Sequence, residues 1–192
     1  MISTFTVFFD SNVLFGIRLT SLLMHLAMSG LFRARWSNDI HREWMTAVHK
    51  KHGIALNVLQ ERCQDMDAAV PDSCVQGYEA LIDHLTLPDP DDRHVLAAAI
   101  RCHADVIVTF NESDFPEASL APYGIHTRHP DLFIRNVDEI DPGTLIQAAK
   151  MDLAHYQNPP LDVDAYIRGL REAGVPITAD YLTQTRVLLV AD

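Results

Sequence analysis

The chain has 192 residues, of which 48% are hydrophobic and 21% are charged. This composition fits one ordinary globular domain with a small appendage and excludes a disordered or fibrous protein. The formal net charge of −11 argues against a protein that coats nucleic acid by bulk attraction. The charge is uneven, because residues 1–60 carry a net +3, residues 61–140 a net −11 and residues 141–192 a net −3.

The sequence also predicts the cellular compartment of the protein. Residues 1–9 lack the basic start and long apolar run of a signal peptide. The longest apolar stretch, Leu19 to Phe32, is interrupted by polar residues and is shorter than the roughly 20 residues that a membrane span needs. Cys63, Cys74 and Cys102 are odd in number and lack Cys-x-x-Cys spacing. We therefore expect a cytoplasmic protein with free thiols.

The first predicted elements are a strand and a helix. Residues 4–9 are β-branched or aromatic, which is typical of a strand buried inside a parallel sheet, and this strand ends at Asp10. From Leu19 to Phe32, apolar residues recur at helical spacing, and Gly30 lies near the predicted end of the helix.

The middle of the chain alternates between helix and strand signals. Ser37 or Asn38 can cap a helix that follows, and residues 54–84 predict one or two more helices. Asp89 can cap another helix, which has Pro90 at its first position. Residues 106–110 form a second buried-strand pattern. The order of strand, helices and strand predicts an α/β fold with a parallel sheet.

The C-terminal part predicts helices alone. These run to about Tyr156, from about Asp162 to Ala173, and onward from about Thr178. We therefore expect one domain over residues 1–138 and a small helical extension over residues 139–192.

Four carboxylates can meet at one edge of this sheet. Ligands of open α/β sheets bind beyond the carboxyl ends of the strands, so Asp10 and Asp114 are expected to face one crevice. Asp92 lies in the first turn of its helix, on the face that packs, and Glu43 shares a helix face with Ile40. Asp91 is the open alternative to Asp92, because acids are favoured throughout the first turn of a helix.

Such a cluster favours a bound cation. Two like charges 4 Å apart repel by about 4 kcal/mol at an effective dielectric constant near 20. Oxygen ligands suit Mg²⁺ or Mn²⁺, and these ions support the hydrolysis of phosphodiester bonds. Each acid also has a purely structural interpretation: Asp10 and Asp114 as caps, Asp92 as an acid favoured in the first turn of a helix, and Glu43 as a solvated helix residue.

Four segments of the chain occur in a characteristic order. They are Phe9–Leu14, Trp36 to Glu43, Asp89–Ala99 and Val108–Phe115. Together they resemble PIN-domain ribonucleases, and VapC-type toxins of bacterial toxin–antitoxin pairs most closely, over about residues 3–136.

The resemblance implies a three-layer α/β/α domain with a central parallel sheet, and the helical tail is similar to an extension in one branch of the family. It implies cleavage of RNA with Mg²⁺ or Mn²⁺ bound by the four acids, an antitoxin that blocks the site, and frequent homodimers. Many relatives have an aspartate where this chain has Asn111, which leaves Asp114 as the nearest acid. The implied ligands are Asp10, Glu43, Asp92 and Asp114.

Other polar residues can support this site. Ser11, Asn12, Thr109 and Asn111 lie beside the strand-end acids and can orient carboxylates or ligand water. Basic residues of the N-terminal third can hold RNA phosphates, although a solvated face explains them equally well. These are Arg33, Arg35, Arg42, Lys50 and Lys51.

Two other functions remain open. A haloacid-type phosphohydrolase also begins with an aspartate after a buried strand. The pattern of that class includes a lysine beyond the second strand, and the only lysine that this chain has there is Lys150, in the tail. A catalytically weak, nuclease-like module that binds a protein is the other alternative, and Asn111 favours it. The remaining negative charge of residues 61–84 and of the tail would suit a basic antitoxin.

Overall fold

A computed structural model describes residues 4–157 and 159–190. In this part of the chain, five strands form one parallel sheet in the order β3-β2-β1-β4-β5. The strands are β1 Phe5–Phe9, β2 Phe32–Ser37, β3 Cys74–Val75, β4 Val106–Val108 and β5 His126–Arg128. The helices are α1 Ser11–Leu14, α2 Ile17–Met28, α3 Asn38–His52, α4 Leu56–Ala69, α5 Glu79–Ile82, α6 Arg93–Arg101, α7 Glu117–Leu120, α8 Pro130–Ile140, α9 Thr144–His155, α10 Val163–Glu172, α11 Pro176–Gln184 and α12 Arg186–Val190.

The chain divides into two compact units. The first unit contains the described residues up to Phe15 together with Phe32–His129, and the second contains Gly16–Leu31 and the described residues from Pro130 onward. The first unit holds the parallel sheet, which helices flank in the expected α/β/α architecture. The predicted domain boundary between residues 138 and 139 stays a prediction.

Strand β1 is the centre of the first unit. It pairs with β2 on one side and β4 on the other, and Val7, Phe8 and Phe9 are completely buried. Because a central strand of a parallel sheet has no solvent-facing side, its sequence is apolar at nearly every position. The prediction of buried strands in residues 4–9 and 106–110 is confirmed, since these ranges contain β1 and β4.

Strand β2 was not predicted, and its residues were read as the end of a helix and a connection. The alternation in Phe-Arg-Ala-Arg-Trp places Phe32, Ala34 and Trp36 in the core, with Arg33 and Arg35 on the opposite side. A period of two over these residues was the signal for a half-buried strand.

Helix α3, directly after β2, and the segment that leads into α6, directly before β4, begin as the sequence predicts. Ser37 caps α3, since its hydroxyl accepts a hydrogen bond from the Ile40 N–H at 3.3 Å. Asp89 caps a 3₁₀ turn, Pro90–Asp92, that leads directly into α6.

Buried carboxylates organise the second unit. Asp152 is fully buried, and it accepts hydrogen bonds from the Ser21 hydroxyl at 2.5 Å and the Tyr166 hydroxyl at 2.7 Å. Asp131 of α8 accepts hydrogen bonds from the N–H groups of Ile177 and Thr178, both at 2.7 Å, at the start of α11. These acids are therefore interior hydrogen-bond acceptors rather than charges offered to a partner.

The cysteines agree with the sequence prediction, since Cys63, Cys74 and Cys102 are free thiols. Among the described helices, none is long and apolar enough to cross a membrane.

Candidate active site

The candidate site lies where the strand order changes direction. From β1, the chain builds β2 and β3 on one side and then β4 and β5 on the other, so β1 and β4 are neighbours at a topological switch point. Loops leaving two such strands diverge and leave a crevice in which ligands of α/β proteins bind. Asp10 follows β1, and Thr109 follows β4.

Asp10 is the best-defined acid of the site. Its side chain is 5% exposed and caps α1, because Oδ1 accepts the Ser11 N–H at 2.6 Å. Oδ2 accepts two further hydrogen bonds, from the Asn12 amide and the Thr109 hydroxyl, each at 2.7 Å. Capping and a functional role are thus compatible at this residue.

Despite these donors, the pKa of Asp10 is raised. Burial is the largest cause, and the charge of Glu43 adds to it, whereas the hydrogen bonds from Thr109 and Ser11 act in the opposite direction. A carboxylate that is well hydrogen-bonded and still hard to ionise lacks a compensating positive charge.

Asn12 and Thr109 join the ends of the two strands. The Asn12 amide donates to the Thr109 hydroxyl oxygen at 3.0 Å, and its carbonyl accepts the Phe110 N–H at 3.2 Å. The backbone N–H of Asn111 also donates to the Thr109 hydroxyl oxygen at 3.0 Å. The structure therefore brings Ser11, Asn12 and Thr109 to Asp10 directly, but Asn111 only through its backbone.

Asp92 and Asp114 lie in two 3₁₀ turns, and the charge of Asp114 acts on Asp92. The pKa of Asp92 is raised to about 6, first by burial and then by the negative charges of Asp10, Asp89 and Asp114, while His94 lowers it. Asp114 belongs to the turn Glu112–Asp114 and is partly exposed. Asp91 is exposed, which favours Asp92 as the inward-facing acid.

Glu43 joins the group from α3, but its predicted packing is wrong. The buried side of α3 consists of Ile40, His41, Trp44 and Val48, whereas the Glu43 side chain is 42% exposed. Its Oε1 lies 2.7 Å from Nε2 of His94. Glu43 therefore reaches the site across the surface of α3 rather than from its packed side.

His94 is a site residue that sequence reasoning missed. Burial disfavours its charged form, but the hydrogen bond to Glu43 and the charges of Glu43, Asp39 and Asp10 outweigh burial and raise its pKa. The available signal was its position, two residues after Asp92 in the same helical start.

The five basic residues are not gathered at the acids. Arg33 donates to the Thr6 hydroxyl at 3.1 Å, and Arg35 donates to the Asp72 carbonyl at 2.7 Å. Arg42 pairs with Asp39 beside Glu43 on α3. Lys50 is exposed near the end of α3, and Lys51 lies over the Phe15 ring at 5.0 Å.

A different group brings its possible ligand atoms closest together. Among the described residues, His41, Cys63 and Asp67 place three such atoms within 4.8 Å of one another, whereas the four carboxylates are not gathered that tightly. The Trp44 indole N–H donates to His41 Nδ1 at 2.9 Å, so the proton of the neutral ring lies on Nε2, which contacts Asp67 Oδ1 at 3.1 Å.

This geometry disfavours metal binding at the His41 group. His41 Nε2 carries a proton and has no lone pair for a cation. Burial, followed by the charge of Asp67, raises the pKa of Cys63 to about 12, which keeps the thiol protonated. The group is better described as a hydrogen-bond network linking β2, α3 and α4.

The four carboxylates, in contrast, fit a hard divalent cation by their chemistry. Their ligand atoms are all oxygens, and Asp10 and Asp92 are both hard to ionise because burial and neighbouring negative charge are uncompensated. A divalent cation would reverse both shifts. The residues that would hold it are Asp10, Glu43, Asp92 and Asp114.

The fold and site together define an α/β protein with an acidic site at the switch point of a parallel sheet. The comparisons with known proteins agree with this class. The family model described as "PIN domain" matches residues 6–113, and the one described as "VapC50 C-terminal domain" matches residues 130–184. The chain therefore belongs to the PIN-domain family, as its four sequence segments predicted.

A curated relative supports the same resemblance over a shorter stretch. It is the Mycobacterium tuberculosis (strain ATCC 25618 / H37Rv) protein named "Putative ribonuclease VapC50", which is 54% identical over 50 residues. The aligned stretch covers 26% of this chain and 28% of the relative. No solved structure matches the chain significantly. The family match does not favour a haloacid-type phosphohydrolase.

Proposed function

We propose that this protein is a Mg²⁺- or Mn²⁺-dependent endoribonuclease and the toxin of a type II toxin–antitoxin pair. The observation that carries the proposal is the shared electrostatic field of the acids, in which Glu43 acts on Asp10, and Asp10 and Asp114 act on Asp92. Membership of the PIN-domain family and the name of the curated relative support it.

In this proposal, Asp10 is the fixed acid of the site, and the other three acids share a second task. Asp10 is fixed by donors from Ser11, Asn12 and Thr109, so its carboxylate presents one constant orientation. Glu43, Asp92 and Asp114 complete an oxygen-lined site around it. A bound divalent cation would supply an activated water and stabilise the leaving oxygen of the phosphodiester.

The proposed partners follow from the same function. The substrate is RNA, with Arg42, Lys50 and Lys51 as the basic residues on the same helix as Glu43, and Arg33 and Arg35 as further contacts. A cognate antitoxin protein would block the acidic site, and the toxin, which could form a homodimer, would act in the cytoplasm. The C-terminal match supports a VapC-type chain.

The decisive experiment is RNA cleavage by the purified protein with Mg²⁺, with Mn²⁺ and with EDTA, with new 5′ ends mapped on total RNA. We expect cleavage with either metal and none with EDTA. Asp10→Asn and Asp92→Asn should each reduce cleavage by about 10²-fold or more, since losing a ligand should exceed the 10–100-fold effect of losing a residue that supports one.

A matched control tests the choice between neighbouring acids. Asp91→Asn changes the same functional group one residue away, on an exposed side chain, and should leave cleavage within about threefold of the wild type. Undiminished cleavage by a folded Asp10→Asn variant would contradict the proposed site. Absence of Mn²⁺ binding at millimolar concentration in calorimetry would instead favour the protein-binding module.

A further inference from the structure

One contact in the candidate site has no role in the function proposed above. His94 lies in the first turn of α6, and its Nε2 is 2.7 Å from Glu43 Oε1 on α3. The two side chains differ greatly in exposure, since His94 is 12% exposed and Glu43 42%. A mostly buried ring therefore holds the end of a partly solvated carboxylate.

Glu43 needs such a holder more than the other acids do. Asp10 directly follows a strand and Asp92 is the last residue of a 3₁₀ turn, so short side chains place their carboxylates. Glutamate has one more rotatable bond, and an exposed glutamate loses conformational entropy when it is ordered. With Oε1 bound to His94, Oε2 makes no hydrogen bond to any of the described residues.

Among the described residues, the contact with Glu43 is the one hydrogen bond that the imidazole makes. Nδ1 of His94 is buried and has no hydrogen-bond partner in the part of the chain that the structure describes. A buried nitrogen without a partner costs stability. A purely structural role therefore explains the ring poorly, and Nε2 is the atom through which it forms its hydrogen bond.

We propose that His94 is a positioning residue, which holds Glu43 through Nε2–H and Oε1 so that Oε2 is presented to the divalent cation. This inference rests on the proposed metal-dependent function and adds to it. His94 also follows Asp92 by two residues, so the same hydrogen bond ties α3, which carries Glu43, to the segment that carries Asp92. Carboxylate ligands of protein metal sites are commonly oriented in this way.

Three substitutions separate the hydrogen bond from the volume of the ring. In His94→Gln, the amide nitrogen can occupy the position of Nε2 and donate to Oε1. His94→Met is similar to glutamine in length and volume but has no donor. His94→Asn keeps an amide, but its nitrogen reaches only the position of Nδ1, and it serves as a second test if the methionine variant does not fold.

The measurement is the affinity for Mn²⁺ alone by calorimetry, together with RNA cleavage and thermal unfolding. We expect His94→Met and His94→Asn to weaken Mn²⁺ binding by about 10–100-fold and His94→Gln to stay within about threefold of the wild type. In a Glu43→Ala background, His94→Met should have no further effect on Mn²⁺ affinity, because the two residues would act as one unit.

The outcomes separate the two hypotheses. If the wild type binds Mn²⁺ and folded His94→Met or His94→Asn binds it equally well, the positioning role is wrong and the proposed function stands. Additive effects of His94→Met and Glu43→Ala would also overturn the positioning role. If the wild type itself binds no Mn²⁺, the proposed function fails and the positioning role fails with it.

Discussion

The Thr109 hydroxyl uses its full hydrogen-bonding capacity at the centre of the site. A hydroxyl has one proton to donate and two lone pairs. Thr109 donates to Asp10 Oδ2 at 2.7 Å and accepts from the Asn12 amide and the Asn111 N–H, both at 3.0 Å. The direction of its proton is therefore determined by its neighbours, and this proton orients Asp10.

We predict that Thr109→Val, which removes the hydroxyl at nearly constant volume, lowers cleavage by about 10–100-fold. The loss should be larger at pH 6 than at pH 8, because the Thr109 hydrogen bond lowers the pKa of Asp10 and its removal raises that pKa further. The measurement is single-turnover cleavage of a defined RNA across this pH range.

Thr109→Ser is the control for this prediction, since it keeps the hydroxyl and loses one methyl group. It should retain most of the activity. Equal activities of the valine and serine variants would show that the hydroxyl does not support Asp10.

The sequence was informative at individual residues wherever local structure determines the position of a side chain. Asp10 follows a buried strand, and Asp92 ends a capped turn, so the position of each in the fold could be predicted from neighbouring residues. Glu43 and His94 meet across a sequence distance of 51 residues. Nothing in either local pattern shows that α3 and α6 bring them together, and helical periodicity placed Glu43 on the wrong side of its helix.

At the scale of elements, α11 begins with a cap from another helix. Its own N-cap residue, Val175, offers no side-chain acceptor, and the Asp131 carboxylate accepts the N–H groups of Ile177 and Thr178 instead. Two donors that a helix start leaves unpaired are thereby satisfied. This contact also joins α8 to α11 within the second unit.

We predict that Asp131→Ala destabilises the protein by about 2–3 kcal/mol, because two backbone donors lose a charged acceptor in a buried place. The melting temperature Tm should fall by about 5–10 °C, given about 2–4 °C per kcal/mol for a protein of this size. Calorimetry in EDTA measures the change without a contribution from bound metal.

Asp180→Ala provides a matched control in α11 itself. Asp180 is 61% exposed and pairs with the exposed Arg171, so its loss should change the stability by less than about 1 kcal/mol. A similar decrease in Tm for both variants would contradict the capping role of Asp131.

Prediction of whole elements succeeded where one pattern repeats and failed where patterns overlap. The central strands and the capped helices have strong local signals. Strand β2 has only a short alternation, in which two arginines are the polar positions, and it directly follows a helical apolar pattern. Its strand character comes from pairing with β1, which is a tertiary interaction that propensity does not contain.

At the scale of the molecule, the net charge of −11 combines acids with opposite structural roles. Asp131, Asp138 and Asp152 are buried and accept hydrogen bonds, so they bind the second unit together. Asp10 and Asp92 instead have raised pKa values. Their ionisation therefore opposes folding when no cation is bound.

The sign of the pH dependence follows from the direction of these shifts. A carboxyl group with a raised pKa in the folded state holds its proton more tightly there than in the unfolded chain, so its contribution to stability decreases as pH rises. For Asp92 this decrease lies between about pH 4 and a little above its folded pKa of about 6.

We therefore predict that metal-free Asp92→Asn is more stable than the wild type at pH 7.5, by about 1 kcal/mol after solvent screening, and that the difference vanishes near pH 4. Mn²⁺ should raise the Tm of the wild type at pH 7.5 and that of the variant much less. Thermal unfolding in EDTA and in Mn²⁺, at both pH values, measures these differences.

Asp91→Asn is again the control and should show no such dependence on pH. A wild-type Tm that exceeds that of metal-free Asp92→Asn at pH 7.5 would contradict the electrostatic account of this site.

The division of the chain into units has a consequence for the order of events during synthesis. Helix α2 belongs to the second unit and packs against α9. In sequence, however, residues Phe32–His129 of the first unit lie between these two helices. At about 5–20 residues per second, a ribosome needs several seconds to add the intervening residues. Throughout that interval, the leucines of α2 have no α9 to cover them, so a nascent or truncated chain ending before α9 should be a preferred client of chaperones and proteases.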